Sequence, residues 1–222
     1  MTINMPGVTI WSCYWSIDHI GAMRHEKVLR YCQTFIKCSR FLMLSAVDIP
    51  VGSGIDFVRI PALKNLTEWN VFVTRDSLKY MDCKFAMSVH EDGFPIRPDL
   101  WNPLFLHFDY IGPVWNDMLV GSGGFNIESG RLLRMKASMW DGDNTIPSDF
   151  WVCRKHRDEL QQRAITFAPP ELAICFGTET THQDFESFGF HGRNYAPMKY
   201  ASGWGMIEKA LNENKSPIHQ NT

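Results

Sequence analysis

Residues 8–15 form a β-rich, largely apolar stretch that gives way to polar Ser16 and Asp18, the pattern of a buried strand running into a loop. Over 19–35 the period changes. Ile20, Met23, Val28, Leu29 and Cys32 recur at helical spacing with Arg24, Glu26 and Lys27 between them, which predicts a helix packed on a sheet. Strands follow at 40–47 and at 55–60, the second closed by Pro61. Asn65 is placed to cap a helix running through Trp69, Phe72 and Val73 to Leu78 and Tyr80, and a fourth strand is expected at 84–89. This alternation predicts an α/β fold with a mostly parallel central sheet flanked by helices. Beyond it the pattern is less regular: a loop at 114–124, a strand at 124–127, helices at 129–138 and 149–163 around a turn-rich connector at 141–145, and a short strand at 165–167.

The chain has 222 residues, 45% of them hydrophobic and 13% aromatic, enough for the core of one domain. We expect that domain over 1–210 and a polar tail over 211–222. With 22 Lys and Arg against 24 Asp and Glu, the net charge of -2 gives no field that favours a polyanion, so nucleic acid is possible as a partner but unsupported. No apolar run is long enough to span a bilayer and the first residues lack a secretory pattern, which points to a cytoplasmic protein. The six scattered cysteines fit neither a metal-ligand spacing nor a disulfide scaffold and read as buried, reduced thiols.

Four segments could carry chemistry. His90-Glu91-Asp92-Gly93 stands at the carboxyl end of a predicted strand, the edge where ligands bind in open α/β sheets; a carboxylate there can hold a divalent ion against a diphosphate, although Asp92-Gly93 is equally the composition of a turn. Gly121-Ser122-Gly123-Gly124 would let the backbone approach a sugar or diphosphate closely, but it is neither a dinucleotide fingerprint nor a P-loop. Asp149, in Pro147-Ser148-Asp149, is either a favourable carboxylate at a helix start or a general base facing an acceptor hydroxyl. His191, set between glycines and aromatics in Phe188-Gly189-Phe190-His191-Gly192, is a structural residue, a metal ligand or a phosphate contact.

In this order the segments, together with Trp69-Asn70-Val71-Phe72, Phe108-Asp109-Tyr110-Ile111-Gly112-Pro113-Val114-Trp115 and Val152-Cys153-Arg154, resemble a family of small GT-A-like (Rossmann-like) proteins of bacteria, viruses and fungi, often labelled only as a domain of unknown function and frequent among polysaccharide-synthesis genes. The resemblance covers nearly all of residues 8–192. It implies a metal-dependent glycosyltransferase using Mn²⁺ or Mg²⁺, with a nucleotide-sugar donor and a glycan or other hydroxyl acceptor. His90-Glu91-Asp92 would occupy the place of the Asp-x-Asp element with Asp92 on the metal, His191 would match the histidine some relatives add to the metal, and Asp149 would match the acidic catalytic position. Donor contacts are expected from the first strand, the second helix and the glycine loop, at Ser12, Tyr14, Asn70, His90, Gly123 and Gly124. Two positions depart from the family: His90 stands where relatives usually have Gln, and Ser148 where they usually have Glu.

Two other functions fit the same sequence. One is a nucleotide-sugar or glycan-binding module without turnover, to which the missing Glu at 148 lends weight. The other is a glycosyltransferase acting on a modified nucleic-acid base, for which Arg154-Lys155-His156-Arg157 is the one basic cluster. A single well-placed base favours inversion at the anomeric carbon.

Overall fold

The computed structural model describes residues 2–179, 186–192 and 202–213. Its frame is a six-stranded sheet in the order β3-β2-β1-β4-β7-β6, formed by β1 (Ile3–Tyr14), β2 (Ile36–Ser45), β3 (Ile55–Arg59), β4 (Phe85–Ser88), β6 (Tyr110–Ile111) and β7 (Asn126–Ser129). The first four strands run parallel, whereas β7 is antiparallel to both β4 and β6. The expectation of a mostly parallel sheet is thus met in only one half. There β7 alone reverses, coming back along β4 after the glycine loop rather than crossing over through a helix, while β6 beyond it runs in the direction of β4.

The sheet is covered on both faces, which is why β1 and β2 read as near-continuous apolar runs in their second halves. Alternate residues serve opposite layers. Ile10, Phe41 and Met43 pack with Val28, Leu29 and Cys32 of α1 (His19–Gln33), while Trp11, Cys13, Leu42 and Leu44 pack with Phe72 of α2 (Leu66–Thr74) and Leu133 of α3 (Gly130–Ser138). The helix starts follow local chemistry. The side chains of Asp18, Asn65 and Ser129 accept the first free backbone N–H groups of α1, α2 and α3.

A second, three-stranded sheet was not foreseen. It orders β5 (Gly93–Pro95), β9 (Gly189–His191) and β8 (Gly177–Thr178), and its pairing of Gly93 with His191 brings the far end of the chain onto the carboxyl edge of the main sheet. The helix expected over 149–163 is interrupted. A short α4 (Ser148–Phe150) passes into a π-helical turn over Trp151–Lys155, and α5 (Arg157–Gln162) follows. The strand expected at 165–167 is reduced to an isolated bridge between Phe167 and Tyr110, and α6 (Pro170–Phe176) leads into β8.

The boundary expected at 210 falls inside a helix. Helix α7 (Ser202–Glu213) carries buried Ile207 and Leu211 across that boundary, and residues 214–222 lie outside the described residues. All six cysteines are free, but Cys175 is exposed and Cys38 and Cys83 only half-buried, so the expectation of buried thiols holds for Cys13, Cys32 and Cys153. Among the described residues no helix is long and apolar enough to cross a membrane.

Candidate active site

Strand order changes direction at β1: β2 and β3 lie on one side and β4 on the other. A crevice opens at the carboxyl ends of strands flanking such a switch point, since the connections leave in opposite directions. Three confluent lobes occupy it here. The inner lobe is lined by residues including Trp11, Trp69, Asn70, Ser88, Asn126, Glu128 and Asp149. A second, beside the end of β1, includes Tyr14, Trp15, His25, Glu91 and Asp92. A third, toward the π-helical turn, includes Trp115, Phe150, Arg154 and Glu179. His191 borders all three lobes, and Asp149 borders the inner and the third.

The turn reading and the site reading of Asp92-Gly93 turn out to be compatible. His90 and Gly93 exchange two backbone hydrogen bonds, so 90–93 is a tight turn, and the Gly192 N–H donates to the Asp92 carbonyl at 2.7 Å. The turn is therefore tied to the strand that carries His191. Burial pushes the His90 imidazole down to about 4, so it is neutral at pH 7; its Nε2 lies 3.3 Å from the Ser88 hydroxyl.

His191 is held through one nitrogen. Its Nδ1 lies 2.9 Å from the Ser122 hydroxyl and 3.2 Å from the Glu179 carboxylate, and the Ser122 hydroxyl itself donates to Glu179. Burial alone would push this imidazole down. The hydrogen bond and charge of Glu179, with the charges of Asp92 and Asp149, reverse the effect and hold it above the usual histidine value. A carboxylate on one ring nitrogen fixes the tautomer and orients the other nitrogen, as in histidines that ligate metals. That other nitrogen, Nε2, lies against Gly124, where an added Cβ would come within 1.8 Å of it. Gly124 is thus required by close approach.

Asp149 is not the helix cap residue, a position held by Pro147. Instead its Oδ2 accepts the Gly123 N–H at 3.0 Å from across the cleft and its Oδ1 accepts the Phe150 N–H at 2.9 Å. Burial raises its pKa against the opposing pull of these bonds and of His191. Ser122, whose φ of 60° lies in the left-handed region, turns the glycine loop so that Gly123 faces Asp149 while the Ser122 hydroxyl faces His191.

The expected donor-side residues divide. Asn70 is 5% exposed, lines the inner lobe, and its amide has no hydrogen-bond partner among the described residues. It opens on the lobe, where water or a ligand can complete it. Tyr14 lines the second lobe and donates to Asp18 at 3.1 Å. His90, Gly123 and Gly124 line the inner lobe. Ser12 does not reach the cleft: it is fully buried, donates to the Val89 carbonyl at 2.6 Å and meets His25 Nδ1 at 2.7 Å, which makes it a positioning residue for His25.

Glu179, Asn126 and Glu128 stand outside the segments singled out by sequence, and Ser122 lies within the glycine loop, where only the backbone was expected to matter. Glu179 sits in no recognisable motif. Asn126 and Glu128 were detectable, because two polar residues alternating with Ile127 on a buried strand must share one face. The basic cluster is already engaged: Arg154 pairs with Asp117 at 2.9 Å and stacks on Trp115, Lys155 bonds Asp141 and Asp143, and His156 meets Asp141 and Glu159. Arg157 lies over the Phe167 ring at 4.2 Å and is partly buried. These contacts leave little of the cluster for a polyanion.

Among the described residues no three His, Cys, Asp or Glu side chains converge to hold a metal by themselves. Asp92 and His191 do share the second lobe, and an oxygen with a nitrogen suits a cation that takes its remaining ligands from a bound diphosphate and water.

The sequence matches no protein-family model and no curated protein. Two solved structures resemble the fold in part. One is a glycosyltransferase involved in the glycosylation of the major capsid of PBCV-1, at 10% identity and a TM-score of 0.45, covering 91% of this chain and 98% of that one. The other is the mannosyltransferase PcManGT from Pyrobaculum calidifontis in complex with GDP-Man and Mn²⁺, at 8% identity and a TM-score of 0.47, covering 75% of this chain and 55% of that one.

Proposed function

We propose that this chain is a glycosyltransferase that moves a sugar from a nucleotide-sugar donor to a hydroxyl group, most simply that of a glycan. The observation that carries the reading is the position of Asp149: a carboxylate with its pKa raised by burial, pinned by two backbone N–H groups, on the wall between the inner lobe and the third lobe. A base for glycosyl transfer has to face both substrates.

In this reading the donor enters along the second lobe with its sugar in the inner one, and the acceptor lies in the third. The acceptor hydroxyl gives its proton to Asp149 as its oxygen forms a bond to the anomeric carbon. The bond from that carbon to the diphosphate breaks, and the electron pair leaves with the nucleoside diphosphate. One base suffices for this displacement, which inverts the anomeric centre. Asp92 and His191 are the residues that would hold Mn²⁺ or Mg²⁺, and a bound cation would neutralise charge on the departing diphosphate. Ser12 is reassigned from donor contact to support of His25, and Ser148, which lines the inner lobe beside Asp149, leaves Asp149 as the one acid of its pair.

The test is a panel of nucleotide-sugars scored by thermal shift with and without Mn²⁺ or Mg²⁺, followed by transfer or donor hydrolysis. Metal-dependent stabilisation by one nucleotide class together with turnover is the expected result. Stabilisation without turnover on any acceptor would leave a binding module, and no stabilisation would remove the nucleotide-sugar altogether.

A further inference from the structure

The floor of the inner lobe has a polar composition that the proposed reaction does not explain. Asn126 and Glu128 project from the same face of β7, opposite Ser88 and Ala86 of β4, and Asn70 faces the lobe from α2. All three are buried, at 7%, 6% and 5% exposure. Asn70 has no hydrogen-bond partner among the described residues, and Asn126 makes only a 3.4 Å contact from Nδ2 to the Tyr110 hydroxyl, so most of both amides opens on the lobe for water or a ligand. Glu128 accepts two N–H bonds from Lys136, at 2.9 and 2.7 Å, which leaves lone pairs on a carboxylate whose charge is balanced.

We propose that Asn70, Asn126 and Glu128 form the subsite that reads the transferred glycosyl group, and that this group is an uncharged sugar rather than a uronic or other acidic one. The proposal rests on the glycosyltransferase reading above. A sugar hydroxyl both donates and accepts, and so do two amides beside a carboxylate; together they can satisfy several hydroxyls at once.

The charges exclude an acid. Two carboxylates, Glu128 and Asp149, line the lobe, and among the described residues no Lys or Arg does. Lys136 is committed to Glu128 and does not line the lobe, while His191 is engaged by Glu179. A sugar carboxylate there would lose its water and meet the Asp149 carboxylate, with no Lys or Arg on the lobe to pair it.

Donor pairs that differ only in the sugar acid test this directly: UDP-glucose against UDP-glucuronate and GDP-mannose against GDP-mannuronate, titrated by calorimetry into the full chain with Mn²⁺, with UDP and GDP alone as references. For the nucleotide that binds, the neutral sugar should bind at least about tenfold more tightly than the acidic one. Asn126→Ala should weaken the neutral nucleotide-sugar about fivefold and leave the bare nucleoside diphosphate unchanged, with the thermal melt confirming a folded protein. Equal or tighter binding of the acidic sugar would overturn the inference while leaving the glycosyltransferase reading in place. So would an equal loss of nucleotide and nucleotide-sugar in the variant, since that marks a structural role. If neither donors nor bare nucleotides bind, the nucleotide-sugar reading itself falls, and this inference with it.

Discussion

Two carboxylates line the inner lobe, and the protein treats them differently. Glu128 stands on a regular strand and is neutralised by Lys136, a buried partner only 2% exposed in its side chain. Asp149 stands on an irregular turn beside a π-helical segment, held by backbone N–H groups alone, with burial raising its pKa. A carboxylate fixed by a cation is a rigid acceptor of hydrogen bonds and a poor base. One held by neutral donors in a partly desolvated place is a stronger base than a free carboxylate. On the proposed reading the first serves recognition and the second proton transfer.

The largest effect should come from breaking the Lys136–Glu128 pair. Lys136→Met leaves Glu128 buried and uncompensated, and should destabilise the fold by about 3–5 kcal/mol, read from urea unfolding at pH 7. A loss below about 1 kcal/mol would show that the pair is not the buried anchor described here.

Next is Gly124→Ala. The added methyl would collide with His191 Nε2, so the Mn²⁺ concentration needed for donor binding should rise about tenfold or more while the melting temperature changes little. An unchanged metal titration would mean that His191 does not serve the cation.

The pH dependence of kcat/KM gives a smaller, directional effect. Asp149 has to be ionised to act, so activity should fall as pH drops through its pKa, on a limb lying above the usual carboxylate value of 3.8. The smallest effect is on stability. Because the folded-state pKa of Asp149 is raised, its stabilising contribution is present below the unfolded value and is lost as pH rises through the folded one. Asp149→Asn should therefore be as stable as wild type or slightly more so at pH 7, by under about 1 kcal/mol, with the advantage gone below pH 4.

The same contrast separates what could be read in advance from what could not. The parallel half of the sheet was legible because each strand is an apolar run and α1 carries apolar residues at helical spacing, with Asp18 and Asn65 as caps. Asp92, Asp149 and His191 were picked out by segment order, and the fold brings them around one cleft. Glu179 could not be found that way, since it reaches His191 only through the pairing of β8 with β9, two short strands with little signal of their own. The break at Trp151–Lys155 was equally hidden: its sequence continues a helical period, and tertiary packing of Trp151, Val152 and Cys153 decides the geometry. Ser12 misled in the opposite sense, because a hydroxyl near a strand end reads as a ligand contact until His25 and Val89 are seen to bond it.

The central claim is that Asp149 is the base, and single-turnover transfer by Asp149→Asn beside a donor titration on the same preparation tests it most directly. The account predicts that the rate falls by about 10²-fold or more while donor affinity stays near wild type, since the lost interaction exists only in the transition state. Near-normal turnover in the Asn variant, with donor binding intact, would contradict it.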